Sequence, residues 1–331
     1  MKQILNRLFE HQSLTRDEAT EVMSKIAAGV FNESEVAAFI TVFLMRNVEL
    51  DELIGFRDAL LSLAIQVDFS EFHTIDIVGT GGDGKNTFNI STAASFVVAG
   101  AGYPVAKHGN YGATAVCGSS NVLEYFGAKF TTDEYVLKSS LEKSNFTFLH
   151  APIFNPAMKN VAQTRKNLGV RTFFNVLGPL INPAQPQFQF LGVFNLKMMR
   201  LYNYVYQTLG AQYSIVHSLD GYDEVSLTDD VKVINTQGEF VYTPQELGYG
   251  TINQKALWGG ATVREAAQIF QNIFDNQATI AQKDVVSANA AMAIQTICRD
   301  KSLNECKAEA LYALESGAAK KALEGFLKVN S

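Results

Sequence analysis

The chain has 331 residues, 47% of them apolar and 18% charged, enough to build one large domain or two unequal ones around a substantial core, which excludes a disordered or fibrous protein. Its 27 Lys and Arg against 33 Asp and Glu leave a net charge of -6, so nothing draws it over long range to nucleic acid or an anionic membrane, and any phosphate site must be a local arrangement. The first 66 or so residues read as helices only. Thr15-x-x-Glu18 and Asn32-x-x-Glu35 are capping-box patterns, in which side chain and backbone satisfy each other at a helix start. Val36, Phe39, Ile40, Phe43 and Leu44 then trace one buried helical face. A third helix is expected over roughly 50 to 66, around Leu53, Ile54, Leu60 and Leu61, with Gly55 a minor propensity cost inside it.

From Thr74 strands alternate with helices: a strand at Ile75 to Val78, a helix from Ser91 to Ala99, a strand at Tyr103 to Ala106 and a helix from Ser120 to Phe126. Phe146 to Leu149 is the next strand and Pro156 to Leu168 the next helix, then strand Phe188 to Phe194, helix Leu196 to Leu209 and strand Tyr213 to His217. Such alternation implies a mainly parallel sheet covered on both faces. Val231 to Ile234 and Glu239 to Tyr242 read as an added antiparallel hairpin. The chain returns to helix at Val263 to Phe274, Val285 to Ile297 and Ala308 to Leu327. Cys117, Cys298 and Cys306 form no C-x-x-C pair, and their odd number fits buried thiols in a reducing compartment. The N-terminus lacks the apolar run of a signal peptide, and no stretch approaches the roughly 18 apolar residues that cross a bilayer, so the expected location is the cytoplasm.

The run Gly79-Thr80-Gly81-Gly82-Asp83-Gly84-Lys85-Asn86-Thr87 follows the first strand of this series. It meets G-x-G-x-x-G, yet the segment some 20 positions on, Tyr103 to His108, holds no carboxylate to bind a ribose. It also approaches the Walker pattern through Lys85, but Asn86 stands where a hydroxyl would ligate magnesium, and Asp83 would face phosphates. Two readings remain: a cradle of backbone amides before a helix N-terminus, suited to an anion, or a tight turn without a ligand. Asn89-Ile90-Ser91-Thr92 adds two hydroxyls and an amide at the helix start, which could equally serve as caps. Lys107-His108-Gly109-Asn110 ends the next strand, at the edge where open α/β sheets bind ligands, and with Gly118-Ser119-Ser120 reads as a second anion-binding loop. His108 alone is a structural histidine by default.

These runs, GTGGDGKNTFNIST, AKHGN and GSSNVLE, together with Asn155 to Lys159, Arg165 to Thr172, Asn175 to Pro183 and Gly221-Tyr222-Asp223-Glu224, resemble the anthranilate phosphoribosyltransferases over nearly the whole chain. The resemblance implies a small all-helical domain, residues 1-70 with about 155-180, and a larger α/β domain, 71-331, with a mainly parallel central sheet. It implies transfer of the phosphoribosyl group of 5-phosphoribosyl 1-diphosphate (PRPP) to the amine of anthranilate, with Mg2+, in a homodimer formed through the helical domain. PRPP would meet Gly79, Gly82, Asp83, Thr87, Asn89, Ile90, Ser91, Thr92, Lys107, His108, Gly109, Asn110 and Ser119. Anthranilate would meet Gly79, Asn110 and Arg165, and the metal would meet Ser91, Asp223 and Glu224. No acid or base side chain is required, because an aromatic amine is neutral and nucleophilic at pH 7. The sequence departs from the family's commoner pattern at Tyr111, Gly112, Ala115, Val116, Cys117 and Asn155, while Thr114 keeps a hydroxyl. The alternatives are a pyrimidine nucleoside phosphorylase, of related fold and with a KHGN-type loop, and a non-catalytic nucleic-acid-binding paralogue, against which the acidic pI near 5.5 argues.

Overall fold

A computed structural model describes residues 1–112 and 115–331. The expected capping boxes both form, Thr15 opening α2 (Arg16–Ala27) and Asn32 opening α3 (Glu33–Met45), after a first helix α1 (Lys2–Phe9). Helix α4 (Leu50–Leu63) packs on α2 through Gly55, where a Cβ would lie 2.4 Å from the Arg16 carbonyl oxygen and 2.6 Å from the Ala19 Cβ. Gly55 is therefore a contact point between two helix backbones, and its propensity cost is the lesser part of its role.

Strand β1 (Ile75–Gly79), α5 (Ile90–Gly100) and β2 (Val105–Gly109) form the first parallel unit, followed by α6 (Ser119–Tyr125), α7 (Glu134–Ser144) and β3 (Phe146–His150). The chain then runs through α8 (Ala151–Phe154), α9 (Lys159–Leu168) and α10 (Phe173–Leu177) before returning to strand at β4 (Phe188–Gly192), which stops two residues short of the sequence expectation. Helix α11 (Leu196–Leu209), β5 (Gln212–Ser218) and the hairpin β6 (Val231–Asn235) and β7 (Gly238–Tyr242) complete the strands. Helices α12 (Val263–Phe274), α13 (Ile280–Ile297), α14 (Leu303–Glu315) and α15 (Ala318–Val329) close the chain. The single helix expected over Ala308 to Leu327 is thus two, parted at Gly317, whose φ of +77° ends one helix and lets the chain turn into the next.

Among the described residues the sheet has seven strands in the order β3-β2-β1-β4-β5-β6-β7, parallel from β3 to β5 and antiparallel beyond. Strands β1 to β4 are largely buried on both faces, their polar Asp76, Lys107, Thr147 and Gln189 included. Small residues on α5, which is buried except at Ser91 and Gly100, let α13, α14 and α15 approach it closely, and Phe96, Phe146, Phe270 and Phe326 fill the core there.

The chain divides into two compact units, Met1–Val67 with Ala151–Gln185, and Asp68–His150 with Pro186–Ser331. In the first, Phe173 of the later segment packs against Phe39, Phe43 and Phe56 of the N-terminal helices at centroid distances of 6.1, 5.2 and 4.9 Å. Such aromatic pairs add about 0.5–1.5 kcal/mol each beyond their area. Glu52, fully buried, is neutralised there by Arg46 at 2.5 Å and accepts the Leu14 and Glu49 amides. No described helix is long and apolar enough to cross a membrane.

Candidate active site

In the α/β unit the strand order turns back at β1, which lies between β2 and β4, and the loops leaving the carboxyl ends of the parallel strands open on one edge. Gly79 and Gly192 are register partners at the ends of β1 and β4, joined by the Thr80 amide donating to the Gly192 carbonyl at 2.9 Å. The segment after β5 lies against both. A Cβ on Gly192 would sit 1.6 Å from the Asp223 main-chain oxygen, and one on Gly79 would sit 2.5 Å from Asp223 Oδ2. Only a strand end without side chains admits the Asp223 backbone here.

The Gly81 amide donates to Asp223 Oδ2 at 2.6 Å and the Lys85 amide to Asp83 Oδ1 at 2.9 Å. Burial first, and then the Asp83 charge, pushes the Asp223 carboxyl up to about 7, against the pull of the Gly81 amide. Glu224 is raised well above the ordinary range by burial and by Asp223 and Asp83, and Asp83 is raised by burial. Asp83 Oδ2 and Glu224 Oε2 are sealed from solvent and accept no hydrogen bond. Crowded, desolvated carboxylates with idle oxygens call for a cation. The donors are hard oxygens, as Mg2+ prefers. Among the described residues no group of three His, Cys, Asp or Glu side chains is already arranged around a metal position.

The same loop carries the anion cradle. Gly81, Gly82 and Gly84 have φ of +65°, +79° and +77°, and among the described residues the amides of Gly82, Asp83 and Gly84 have no protein acceptor. The loop is fastened by Asn86, whose side chain donates to the Gly260 carbonyl at 2.7 Å and whose carbonyl accepts the Gly259 amide at 2.6 Å, and by the Phe88 amide on Leu257 at 3.0 Å. Thr87 and Trp258 form an antiparallel bridge. Lys85 rests its ammonium over the Tyr222 ring at 4.5 Å. The loop delivers the chain to Asn89, Ile90, Ser91 and Thr92 at the start of α5, where the amides and the helix dipole favour negative charge.

Lys107 is buried beneath that helix start, its Nζ donating to the Ile77 carbonyl and lying 3.4 Å from Ser91 Oγ. Burial lowers it to about 8, with Asp76 and Glu224 holding it up. Asp76, fully buried, accepts the His108 amide at 3.2 Å.

Beyond Gly109 the chain forms the second loop. The Asn110 carbonyl accepts Ser119 Oγ at 3.2 Å and the Ser120 amide at 3.1 Å, and its side-chain oxygen accepts the Tyr111 amide at 2.8 Å. Asn121 Oδ1 accepts the amides of Gly112 and Gly118 at 3.0 and 2.9 Å, and Asn89 donates to the Cys117 carbonyl at 3.0 Å. Tyr111 reaches Glu124 at 2.7 Å and sets its ring edge-on to His150. Cys117 is buried and its thiol pushed up to about 11. Val116 stays exposed, Ala115 lies beside it, and Thr114 falls outside the described residues.

The α/β unit thus assembles every candidate PRPP and metal residue on one sheet edge. Arg165 and Asn155 belong to the other unit. Arg165 lies on α9 over the Phe174 ring at 5.2 Å, is lowered by burial, and among the described residues makes no ion pair, while Asn155 is buried at the turn before α9. Gly192, the 257–260 segment and Asn289, which binds Val225 beside Glu224, are absent from the sequence-based candidates. A lone asparagine within the apolar run Val285 to Ala293 is the available signal.

Residues 71–320 match the glycosyl transferase family a/b domain, and residues 2–64 match the helical bundle domain of the same family. The anthranilate phosphoribosyltransferase of Bacteroides fragilis strain YCH46 is 57% identical over 330 residues, covering 100% of each chain, and that of Cytophaga hutchinsonii is 52% identical over 96% of this chain and 97% of its own. Among solved structures, the Thermus thermophilus anthranilate phosphoribosyltransferase superposes with a TM-score of 0.92 at 33% identity, over 98% of both chains. The Saccharomyces cerevisiae enzyme in complex with PRPP and Mg superposes with a TM-score of 0.91 at 25% identity, over 98% of this chain and 96% of that one. The chain belongs to the anthranilate phosphoribosyltransferases.

Proposed function

We propose that the family's reaction runs at the carboxyl edge of the sheet, with PRPP on the 79–92 and 107–119 segments, Mg2+ held through Ser91, Asp223 and Glu224, and the acceptor meeting Gly79, Asn110 and Arg165. The reaction joins the phosphoribosyl group of PRPP to the amine of anthranilate, giving N-(5-phosphoribosyl)anthranilate and diphosphate. A nucleoside phosphorylase and a nucleic-acid-binding paralogue are not favoured, since full-length relatives share the transferase name. One observation carries the site reading: Asp83 and Glu224 have idle buried oxygens, and among the described residues the amides of Gly82, Asp83 and Gly84 on the glycine-rich loop have no protein acceptor. A metal-diphosphate ligand uses both, whereas inorganic phosphate would need only the amides. The PRPP and Mg complex of the yeast relative supports the same reading.

As the anomeric C–O bond breaks, its electron pair leaves with the diphosphate, and the amine of anthranilate forms the new C–N bond and then loses a proton to water. Bound Mg2+ supplies charge neutralisation to the leaving group. The chain's own part is to orient and to counter charge: the loop amides and the start of α5 grip phosphate oxygens, and Lys107, buried and held by Ile77, adds a fixed positive charge below them. A guanidinium such as that of Arg165 suits the carboxylate of anthranilate.

A cytoplasmic homodimer completes the proposal, supported by the exposed apolar Phe9, Val30 and Met45 of the helical unit and by Leu44, which helical spacing assigns to the buried face of α3 but which the structure leaves exposed. The decisive experiment follows anthranilate fluorescence with purified protein, PRPP and Mg2+. Metal-dependent loss of signal is the expected result. A folded protein that leaves anthranilate and PRPP untouched would refute the reading, and light scattering tests the dimer.

A further inference from the structure

Asp223 and Glu224 face a stereochemical problem, because consecutive residues of an extended strand point to opposite faces. Two neighbouring carboxylates can serve one cation only where the backbone leaves regular geometry and is held there. Gly192 receives the Asp223 main chain, and Ser218 Oγ donates to the Glu224 carbonyl at 2.7 Å while accepting the Ser226 amide at 3.1 Å. The third restraint comes from α13. Asn289 Oδ1 accepts the Val225 amide at 3.1 Å, and its Nδ2 donates to the Val225 carbonyl at 2.9 Å and to the Val285 carbonyl at 2.8 Å.

Asn289 is 2% exposed, on a helix whose neighbouring positions are Ala288, Ala290 and Ala291. A carboxamide in such a place costs desolvation and adds nothing to apolar packing. What it adds is a two-point grip on both peptide groups of Val225, as a neighbouring strand would make, immediately after Glu224. We propose that Asn289 is a positioning residue for the metal-binding carboxylates, fixing the backbone from which Glu224 projects. The inference rests on the assignment of Asp223 and Glu224 made above.

The test measures Mn2+ binding by electron paramagnetic resonance in the presence of PRPP, alongside the Mg2+ dependence of the rate. The variants are Asn289→Ala and, as control, Ser287→Ala. Ser287 is fully buried on the same helix and bonds the Tyr249 hydroxyl at 2.8 Å, so its loss removes a buried hydrogen bond of α13 without touching the loop. Wild-type protein is expected to bind Mn2+, and Asn289→Ala to bind it about 10–100-fold more weakly, as when a supporting partner of a metal ligand is lost. The Mg2+ concentration for half-maximal rate rises in parallel, while the KM for anthranilate stays within about twofold. Ser287→Ala loses stability but keeps its Mn2+ affinity. Should Asn289→Ala not fold, Asn289→Ser, which leaves room for a water against Val225, carries the same expectation. A folded Asn289 variant with wild-type Mn2+ affinity overturns the inference alone, whereas wild-type protein that binds no Mn2+ with PRPP overturns the metal assignment and the inference together.

Discussion

The 219–226 segment and the 109–119 loop open on the same edge of the sheet, yet they are fastened in different ways. The first is locked by buried partners: a strand-end glycine, a fully buried serine and a nearly buried asparagine all act on its main chain. The second is held largely by side-chain amides, Asn121 spanning Gly112 and Gly118 and Asn89 reaching Cys117, along a chain whose Asn110 and Tyr111 are exposed. The contrast follows what each presents. Desolvated carboxylates that crowd one another must be restrained by the fold, whereas a loop with exposed residues and no crowded charge is free to adapt, and we propose that it does so to PRPP.

Breaking the locked segment has the largest expected effect. Gly192→Ala drives a methyl group into the Asp223 carbonyl oxygen, which must move; a destabilisation of about 3 kcal/mol or more and loss of measurable turnover are expected from urea unfolding and the fluorescence assay. Asp223→Asn sharpens the comparison by separating function from stability. Its kcat/KM for PRPP should fall about 10²–10³-fold, while the metal-free protein melts higher than wild type, because a neutral amide relieves the crowding with Asp83 and Glu224. A lower Tm for the metal-free variant would show that the carboxylates are not in conflict.

In the second loop, Asn121→Ala removes two hydrogen bonds worth about 1 kcal/mol each, so the KM for PRPP should rise about 5–30-fold with little change in kcat. A drop in kcat with KM unchanged would contradict the adaptable-loop picture. The smallest effect is a pH slope. His150, behind this loop and bonded to Ser120 at 2.8 Å, is lowered by burial, which outweighs the opposing pull of Glu124. Above the ordinary histidine value of 6.5, folded and unfolded states are both neutral; below it the unfolded chain takes up the proton first. Stability therefore declines as pH falls through 6.5 until the lowered folded value is reached, and His150→Asn should flatten that slope in urea titrations.

Local signals make most of the fold legible. Capping boxes at Thr15 and Asn32, buried apolar strands and the glycine-rich loop are each written within a few residues. Helix α7 gives no such signal, since its buried face has only Leu137 and Leu141 as large apolar residues. Gly317 sits inside a run with helical character on both sides, although it divides α14 from α15. Gly55 shows the same limit in another form: its cost is local, but its benefit lies on a different helix. The site divides likewise. The cradle and the acidic pair can be read, whereas Asn289 acts on Val225 across 64 positions, a distance over which no periodicity or spacing speaks.

The order of the segments along the chain has a consequence during synthesis. The Ala151–Gln185 part of the helical unit is made between β3 and β4, and β4 covers the edge of β1 that faces away from β2. A nascent chain therefore gathers its helical unit in full before the sheet can gain its middle strand. Until Phe188 has emerged, β1 shows a row of unpaired peptide groups, a template for pairing with another chain. Ribosomes stalled late in that interval hold an aggregation-prone half-sheet on a chain whose helical unit is nearly finished.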